Sequence, residues 1–278
     1  MEAQLRAQLR SRGDEGADLR MATVGPVAEL VHCSVDDGVA TITLDSPTNR
    51  NALSRQLVTE LNEALDRGEQ PDVRAVVLTH AGPAFCSGAD LKERASGTRE
   101  AQAAGNPMAN AMERLASMAA VTIAAVNGPV RAGGVGLMAA CDLIVVQSSV
   151  TFAFTEVRIG VAPAIISVPI LARCGWSKLA APFLTGEAFD AAAAREMGLI
   201  THVTDDVAAT VDGLIAGILA GAPSAVAASK QLLRNPSRSY ADMTTLSESL
   251  FRSDEASEGM RAFAEKRPPS WATAKEGA

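Results

Sequence analysis

The chain reads as an α/β protein built from parallel β-α units and closed by a helical C-terminal region. Short β-branched runs alternate with stretches of helical apolar spacing as far as about Ser177, and beyond it the strand signals almost vanish. Hydrophobic residues make up 47% of the chain and aromatics only 4%, so the core should be built from small side chains that allow close helix packing.

The elements follow in order. The first 20 residues, MEAQLRAQLRSRGDEGADLR, are charged with little to bury. Residues 1–25 are therefore expected to form a flexible extension, with Met21 a candidate second start. VAELVHCSV and GVATITL are β-rich runs around DDG, a hairpin signal. SRQLVTELNEALDRG has helical spacing, with Ser54 placed to cap it. RAVVLTH reads as a buried strand. AGPAFCSGADLKE follows as a loop, in which Asp90 is placed to cap a helix beginning at Leu91. NPMANAMERLASM reads as a helix, VTIAAVN as a strand, and VNGPVRAGGVGLMAACD as a glycine-studded turn running into a small apolar helix. DLIVVQ is the next strand. Further on, DDVAATVDGLIAGILA, SAVAASKQLLR and an amphipathic stretch from about Tyr240 to Lys266 read as helices. Neither an internal repeat nor a low-complexity linker interrupts them.

Length and charge bound the function. A chain of 278 residues suits one large domain or one with an appendage. The formal charge of −7, with no basic run longer than a pair, argues against nucleic acid or an anionic membrane as the main partner. Cys33, Cys86, Cys141 and Cys174 lie far apart in apolar contexts without a CxxC, so they read as reduced core residues rather than disulfides or zinc ligands. An apolar run of membrane-spanning length and a signal-peptide core are both absent, and a cytoplasmic location is expected.

The glycine turn admits several readings. Gly134, Gly136 and Ala139 fit GxGxxA, and Glu156 lies about 20 residues on, as a dinucleotide fingerprint requires. Yet the next strand ends at Gln147, and NGPVRAG separates the turn from its own strand. Glycines placed only for close packing are the plainer alternative. Among other candidates, His32, His80 and His202 lie in strand-like apolar stretches and read as satisfied near-core residues. Ser87 lacks the GxSxG context of a nucleophile. Met108, Met112 and Met118 read as core, with an acyl pocket the alternative.

Several stretches taken together carry a resemblance. NRNALS (Asn49 to Ser54), AFCSGADLKE (Ala84 to Glu93), VNGPVRAGGVGLMAACD, FAFTEVRIGVAP (Phe152 to Pro163) and F-x-x-KR-x-P-x-W (Phe263 to Trp271) occur in this order. In them the chain resembles the enoyl-CoA hydratase/isomerase, or crotonase, superfamily over roughly Val27 to Trp271. The resemblance implies a crotonase-like spiral of ββα units over residues 26–205 and a helical trimerisation region over 206–278. It also implies a homotrimer or a dimer of trimers. The substrates it implies are acyl-CoA thioesters, with coenzyme A entering as part of the substrate and with no permanently bound cofactor or metal. The backbone N–H groups matching the family's thioester-oxygen donors are those of Ala89 and Gly133, and the matching acid/base is Glu156. The stretches around Arg50, Asn51 and Ala52 and around Ala89, Asp90, Leu91 and Lys92 match those that face coenzyme A.

The chemistry explains the donors. Abstracting a proton beside a thioester, or adding water across its conjugated double bond, pushes negative charge onto the carbonyl oxygen. A donor aimed there is typically worth about 3–4 kcal/mol. The chain departs from the two-glutamate hydratase pattern in one respect: the first glutamate's position is Gly136. Hydration of a 2-enoyl-CoA through the single Glu156 is the leading expectation, and EVRIGVAPAIIS favours hydratases of branched or unsaturated acyl-CoA. Δ3–Δ2 isomerisation is the alternative, and a degenerate CoA-binding subunit is the alternative of another class. If only the missing acid limits hydration, Gly136→Glu is expected to raise it.

Overall fold

The computed structural model describes residues 28–96, 105–235 and 239–272; the extension expected over residues 1–25 lies outside them. Strands β1 (Val31–Asp36) and β2 (Val39–Leu44) form the expected antiparallel hairpin. Asp37 and Gly38 both take positive φ (45° and 76°), the two-residue turn whose twist matches that of the strands. Helix α1 (Arg55–Gly68) starts where Ser54 Oγ accepts the Leu57 N–H at 3.2 Å, and it buries Leu57, Leu61 and Leu65 at four-residue spacing.

Strand β3 (Ala75–His80) runs parallel to β2 and enters the long loop that ends at Asp90. Asp90 Oδ1 accepts the N–H groups of Lys92 and Glu93, so it caps the short helix α2 (Leu91–Ala95) as its sequence position implies. Helix α3 (Pro107–Ser117) is capped by Asn106, and Met112 and Met118 are core while Met108 packs against it from the side. Strand β4 (Val121–Val126) is buried throughout. A two-residue strand β5 (Val130–Arg131) then leads into helix α4 (Gly133–Ala140), and β6 (Leu143–Gln147) follows. Among the described strands, β1, β2, β3, β4 and β6 lie side by side in that order, parallel after the first pair.

A second, three-stranded sheet joins β5 to β7 (Thr151–Ala153) and β8 (Ala188–Asp190). Between β7 and β8 lie a 3-10 turn at Thr155–Ile159 and helices α5 (Ala164–Arg173) and α6 (Trp176–Thr185). After helix α7 (Ala191–Met197), strand β9 (His202–Thr204) adds to β6 at the edge of the first sheet. The near-absence of strand signals past Ser177 therefore hides β8 and β9. Each is three residues long, too short for an alternating pattern to stand out.

Helix α8 (Val207–Ala220) lays Val207 and Val211 against Val77, Ile123, Ala125 and Val145, on the sheet face opposite α1 and α3. Cover on both faces explains why β4 carries an unbroken apolar run. Helix α9 (Pro223–Arg234) is fastened by charge. Lys230 Nζ lies 2.9 Å from Asp142 Oδ2 and Arg234 Nη2 lies 2.7 Å from Asp142 Oδ1. Thr122 donates its N–H and Oγ1–H to the same carboxylate. Lys230 is 4% exposed, so only this pairing and the carbonyls of Leu115 and Ala120 make its ammonium tolerable there.

The stretch from Tyr240 to Lys266 is two helices rather than one. Helix α10 (Tyr240–Phe251) ends before Ser253, whose Oγ accepts the Ala256 N–H and caps α11 (Asp254–Glu265). Helix α10 buries no residue and α11 buries only Ala262, leaving Tyr240 and Phe263 96% and 87% exposed. The chain then returns to the domain. Trp271 donates its indole N–H to Ala220 O at 3.2 Å. Arg74 reaches the carbonyls of Ile218, Leu219 and Gly221, which end α8, and that of Trp271.

Candidate active site

Three loop segments lie side by side, 49–54, 84–90 and 130–133, and their hydrogen bonds set their register. On one flank Ser87 N–H donates to Arg50 O (3.0 Å), Ser87 Oγ–H to Asn49 O (3.1 Å), and Leu53 N–H to Gly88 O (2.8 Å). On the other, Phe85 N–H donates to Pro129 O (3.2 Å) and Arg131 N–H to Cys86 O (2.9 Å). Cys86 thus sits beside Val130, and two residues on Gly88 sits beside Ala132, so close that a Cβ on Gly88 would lie 2.8 Å from that of Ala132. The same register brings Ala89 to Gly133.

Both amides are free to serve a ligand. A trans peptide points its C=O and N–H in opposite directions. Because Gly88 O is turned to Leu53, the Ala89 N–H points away from that flank, toward the Ala132–Gly133 side. Gly133 opens α4, where the first N–H groups have no helical acceptor and the helix dipole favours negative charge. Among the described residues neither N–H meets an acceptor. Ala132 holds φ 47° and ψ −122°, a conformation that disfavours a Cβ and that persists at a cost of order 1–3 kcal/mol where the surroundings enforce it. Sequence reading missed this residue, since nothing in an alanine signals positive φ.

Glu156 comes to the same place through the second sheet. β5 pairs in parallel with β7, and Ala132 N–H donates to Ala153 O at 3.0 Å, so the 3-10 turn carrying Glu156 begins two residues past the contact. The turn is anchored by Phe154, fully buried against Phe183 and Phe189 with ring centroids 4.3 and 5.5 Å apart. Gly160 ends it in the left-handed conformation. Arg158 and Arg131 are engaged away from the Glu156 carboxylate: Arg158 donates to Thr185 O, and Arg131 to Val130 O, Thr151 O and Thr151 Oγ1. Glu156 Oε2 is buried without a hydrogen-bond partner among the described residues. Burial pushes its carboxyl above the ordinary value of 4.5.

The remaining expected residues divide. Arg50, Leu91 and Lys92 are exposed beside these loops, and Asp90 is occupied in capping α2. Asn51 has a different task from the ligand contact expected of it. It is wholly buried at φ 53°, its Oδ1 accepts Ser46 N–H (2.6 Å), and its Nδ2 donates to Ala81 O (3.0 Å) and Ala84 O (2.9 Å). The side chain is a clamp at the root of the Ala89 loop, facing inward. Ala52 is likewise buried, with its N–H on Asn49 Oδ1.

The dinucleotide reading of the glycines fails on packing. A Cβ on Gly134 would lie 2.6 Å from that of Cys86, and one on Gly136 would lie 2.5 Å from Ile166 Cγ2 and 2.8 Å from Met112 Cε. These glycines admit neighbouring side chains, leaving no room for a phosphate. The four cysteines are free thiols, Cys33 half-buried and the others buried. Of the histidines, His32 stands at the surface beside Asp45 and Glu29, not near the core.

Comparisons with known proteins bear on the family and the fold. The family model described as enoyl-CoA hydratase/isomerase matches residues 34–274. The enoyl-CoA hydratase EchA19 of Mycobacterium tuberculosis is 35% identical over 243 residues, 83% of this chain and 91% of that protein. The solved structure of an enoyl-CoA hydratase from Mycobacterium smegmatis is similar with a TM-score of 0.80 and 33% identity. One from Mycobacterium avium is similar with a TM-score of 0.66 and 41% identity. Each comparison covers 88% of this chain and 100% of the other.

Proposed function

Because the chain belongs to the enoyl-CoA hydratase/isomerase family and has its fold, we propose that it hydrates a 2-enoyl-CoA through one carboxylate, Glu156, and two backbone amides. The observation that carries this reading is the buried, unpartnered Oε2 of Glu156. A carboxyl that burial raises above its ordinary value takes up a proton more readily, which suits a group that must act as base and then as acid.

In this mechanism the thioester oxygen accepts the N–H groups of Ala89 and Gly133. Glu156 removes a proton from water as the water oxygen bonds to C3. The C2–C3 π electrons move toward the carbonyl, and the enolate charge rests between the two amides. The protonated Glu156 then delivers its proton to C2, restoring the carbonyl and the starting carboxylate. The general acid–base part is worth about 10²- to 10⁴-fold in rate.

Isomerisation is the second reading, favoured by one observation. The place beside Gly136, where a second acid would stand, is filled by Ile166 and Met112, an apolar wall with nothing to hold water. Glu156 alone can move a proton from C2 to C4 of a 3-enoyl thioester. Matched 2- and 3-enoyl-CoA substrates, short, branched and bulky, decide between the two by which is turned over faster. Turnover of none, with coenzyme A esters still bound, would leave a CoA-binding subunit instead.

The assembly we propose is a homotrimer, alone or paired, joined through the region over 206–278, in a cytoplasmic setting. The exposed Tyr240, Phe251 and Phe263 of α10 and α11 support it, since single chains rarely leave so many large apolar side chains in water. Light scattering tests it by mass.

A further inference from the structure

His80 ends β3 at the base of the loop that carries Ala89, and it reaches across to the turn that leads into Gly133. Its Nε2 accepts the backbone N–H of Asn127 at 3.1 Å, and its ring meets Phe85 edge-on at 5.6 Å. Around it the two loops are pressed together: a Cβ on Gly128 would lie 2.6 Å from Pro83 O and 2.9 Å from Ala84 Cα. The imidazole bridges β3 and the Asn127 turn, beside the bond from Thr79 Oγ1 to Ala125 O (3.3 Å) that ties β3 to the end of β4. A backbone N–H can only donate, so Nε2 must be unprotonated and the proton must sit on Nδ1.

We propose that His80 is a positioning residue that, as the neutral Nδ1–H imidazole, holds the Ala89 loop and the Gly133 turn in register, so that the two amides converge on one oxygen. The inference rests on the oxyanion reading of Ala89 and Gly133 given above. Protonation turns Nε2 from acceptor to donor, sets it against the Asn127 N–H, and loosens the register. Burial lowers the imidazole below its ordinary 6.5, which keeps it neutral at physiological pH, against a smaller opposing pull from the carbonyls of Ala81, Gly82 and Ala84.

The charged and titratable groups on the surrounding elements are occupied. Asp45, past the end of β2, pairs with His32 at 3.0 Å. On the loop, Asp90 caps α2, and the Cys86 thiol, pushed up to about 12, receives the Gly88 N–H. Arg131 is held at Thr151, and β4 carries no titratable side chain.

The test combines two variants, a pH profile and a spectrum. His80→Gln keeps an acceptor that cannot titrate, and His80→Leu removes it. His80→Leu should lose about tenfold in kcat with KM little changed, the loss of roughly one hydrogen bond's worth of alignment, while His80→Gln should stay within a few-fold at pH 8. In the wild type protonation of Glu156 abolishes turnover with a slope of 1, and protonation of His80 adds a further fall of about tenfold, so log kcat/KM should drop more steeply through the His80 titration in the wild type than in His80→Gln, which should keep the slope of 1 alone. If Glu156 were not the base, His80→Gln would show no acid limb while the wild type kept its roughly tenfold step, so failure of the mechanism and failure of this inference read differently. Imidazole ¹⁵N shifts of the wild type should show the Nδ1–H form at pH 8. A His80→Gln profile that superimposes on the wild type, or an Nε2–H imidazole at pH 8, overturns the proposal.

Discussion

Ile166 occupies the space into which a side chain at position 136 would grow, its Cγ2 2.5 Å and its Cβ 2.6 Å from where a Cβ on Gly136 would stand. Helices α4 and α5 approach closely at that point because one contributes no side chain. Gly136→Glu, expected from sequence to supply a second acid, should instead force the helices apart and bury a charge among Ile166 and Met112. A loss of about 3 kcal/mol or more in denaturant unfolding is expected, with no gain of hydration relative to isomerisation.

Glu156→Gln should lower turnover at least about a hundredfold while acyl-CoA binding is kept. Its effect on stability runs the other way. The folded carboxyl titrates above its ordinary 4.5, so the folded state binds more protons than the unfolded one between the two values. The wild type therefore loses stability as pH rises through that window, and above it carries the penalty of an ionised carboxylate with one oxygen buried and unpaired. Melting temperatures of the variant should exceed those of the wild type at pH 8 and converge with them below about pH 4.

Asn51→Ala removes a clamp with three hydrogen bonds and strands Ser46 N–H, Ala81 O and Ala84 O. At about 1–3 kcal/mol for each buried group left unpaired, a destabilisation of roughly 3 kcal/mol or more is expected. Chemical denaturation measures it. A role in ligand binding alone would instead appear as a raised KM at unchanged stability.

Asp142→Asn should cost about 3–5 kcal/mol, because it leaves Lys230 charged and buried without its counterion. Asp142→Asn combined with Lys230→Met should recover much of the loss, and a double-mutant cycle gives the coupling.

The long elements were legible because each announced itself locally. Ser54 and Asp90 cap the helices their positions implied, and the DDG turn adopts the backbone its glycine permits. The sequence order of the candidate site also corresponds to the structure, in that the segments carrying Ala89, Gly133 and Glu156 are linked through the 84–90 and 130–133 loops and the β5–β7 pair. What sequence did not disclose is what depends on distant neighbours. Asn51 is a clamp because Ala81 and Ala84 fold beneath it, and Gly136 is closed because Ile166, thirty residues on, fills it. His80 looked like a satisfied core histidine, but its Nδ1 has no partner among the described residues. β8 and β9 exist only because β7 and β6 offer them edges.

Arg74 binds the carbonyl of Trp271 across 197 residues of chain. The arginine just before β3 is thus completed by a residue far along the chain. Arg74 can hold the carbonyls of Ile218, Leu219 and Gly221 as soon as α8 has docked, whereas Ala220 O and the last Arg74 contact wait for Trp271. The sheet strands through β6 can therefore pair before this closure is made. Closure over so long a loop is slow by its entropy, and the stretch from α10 onward is where a folding chain stays longest exposed to self-association or to a chaperone.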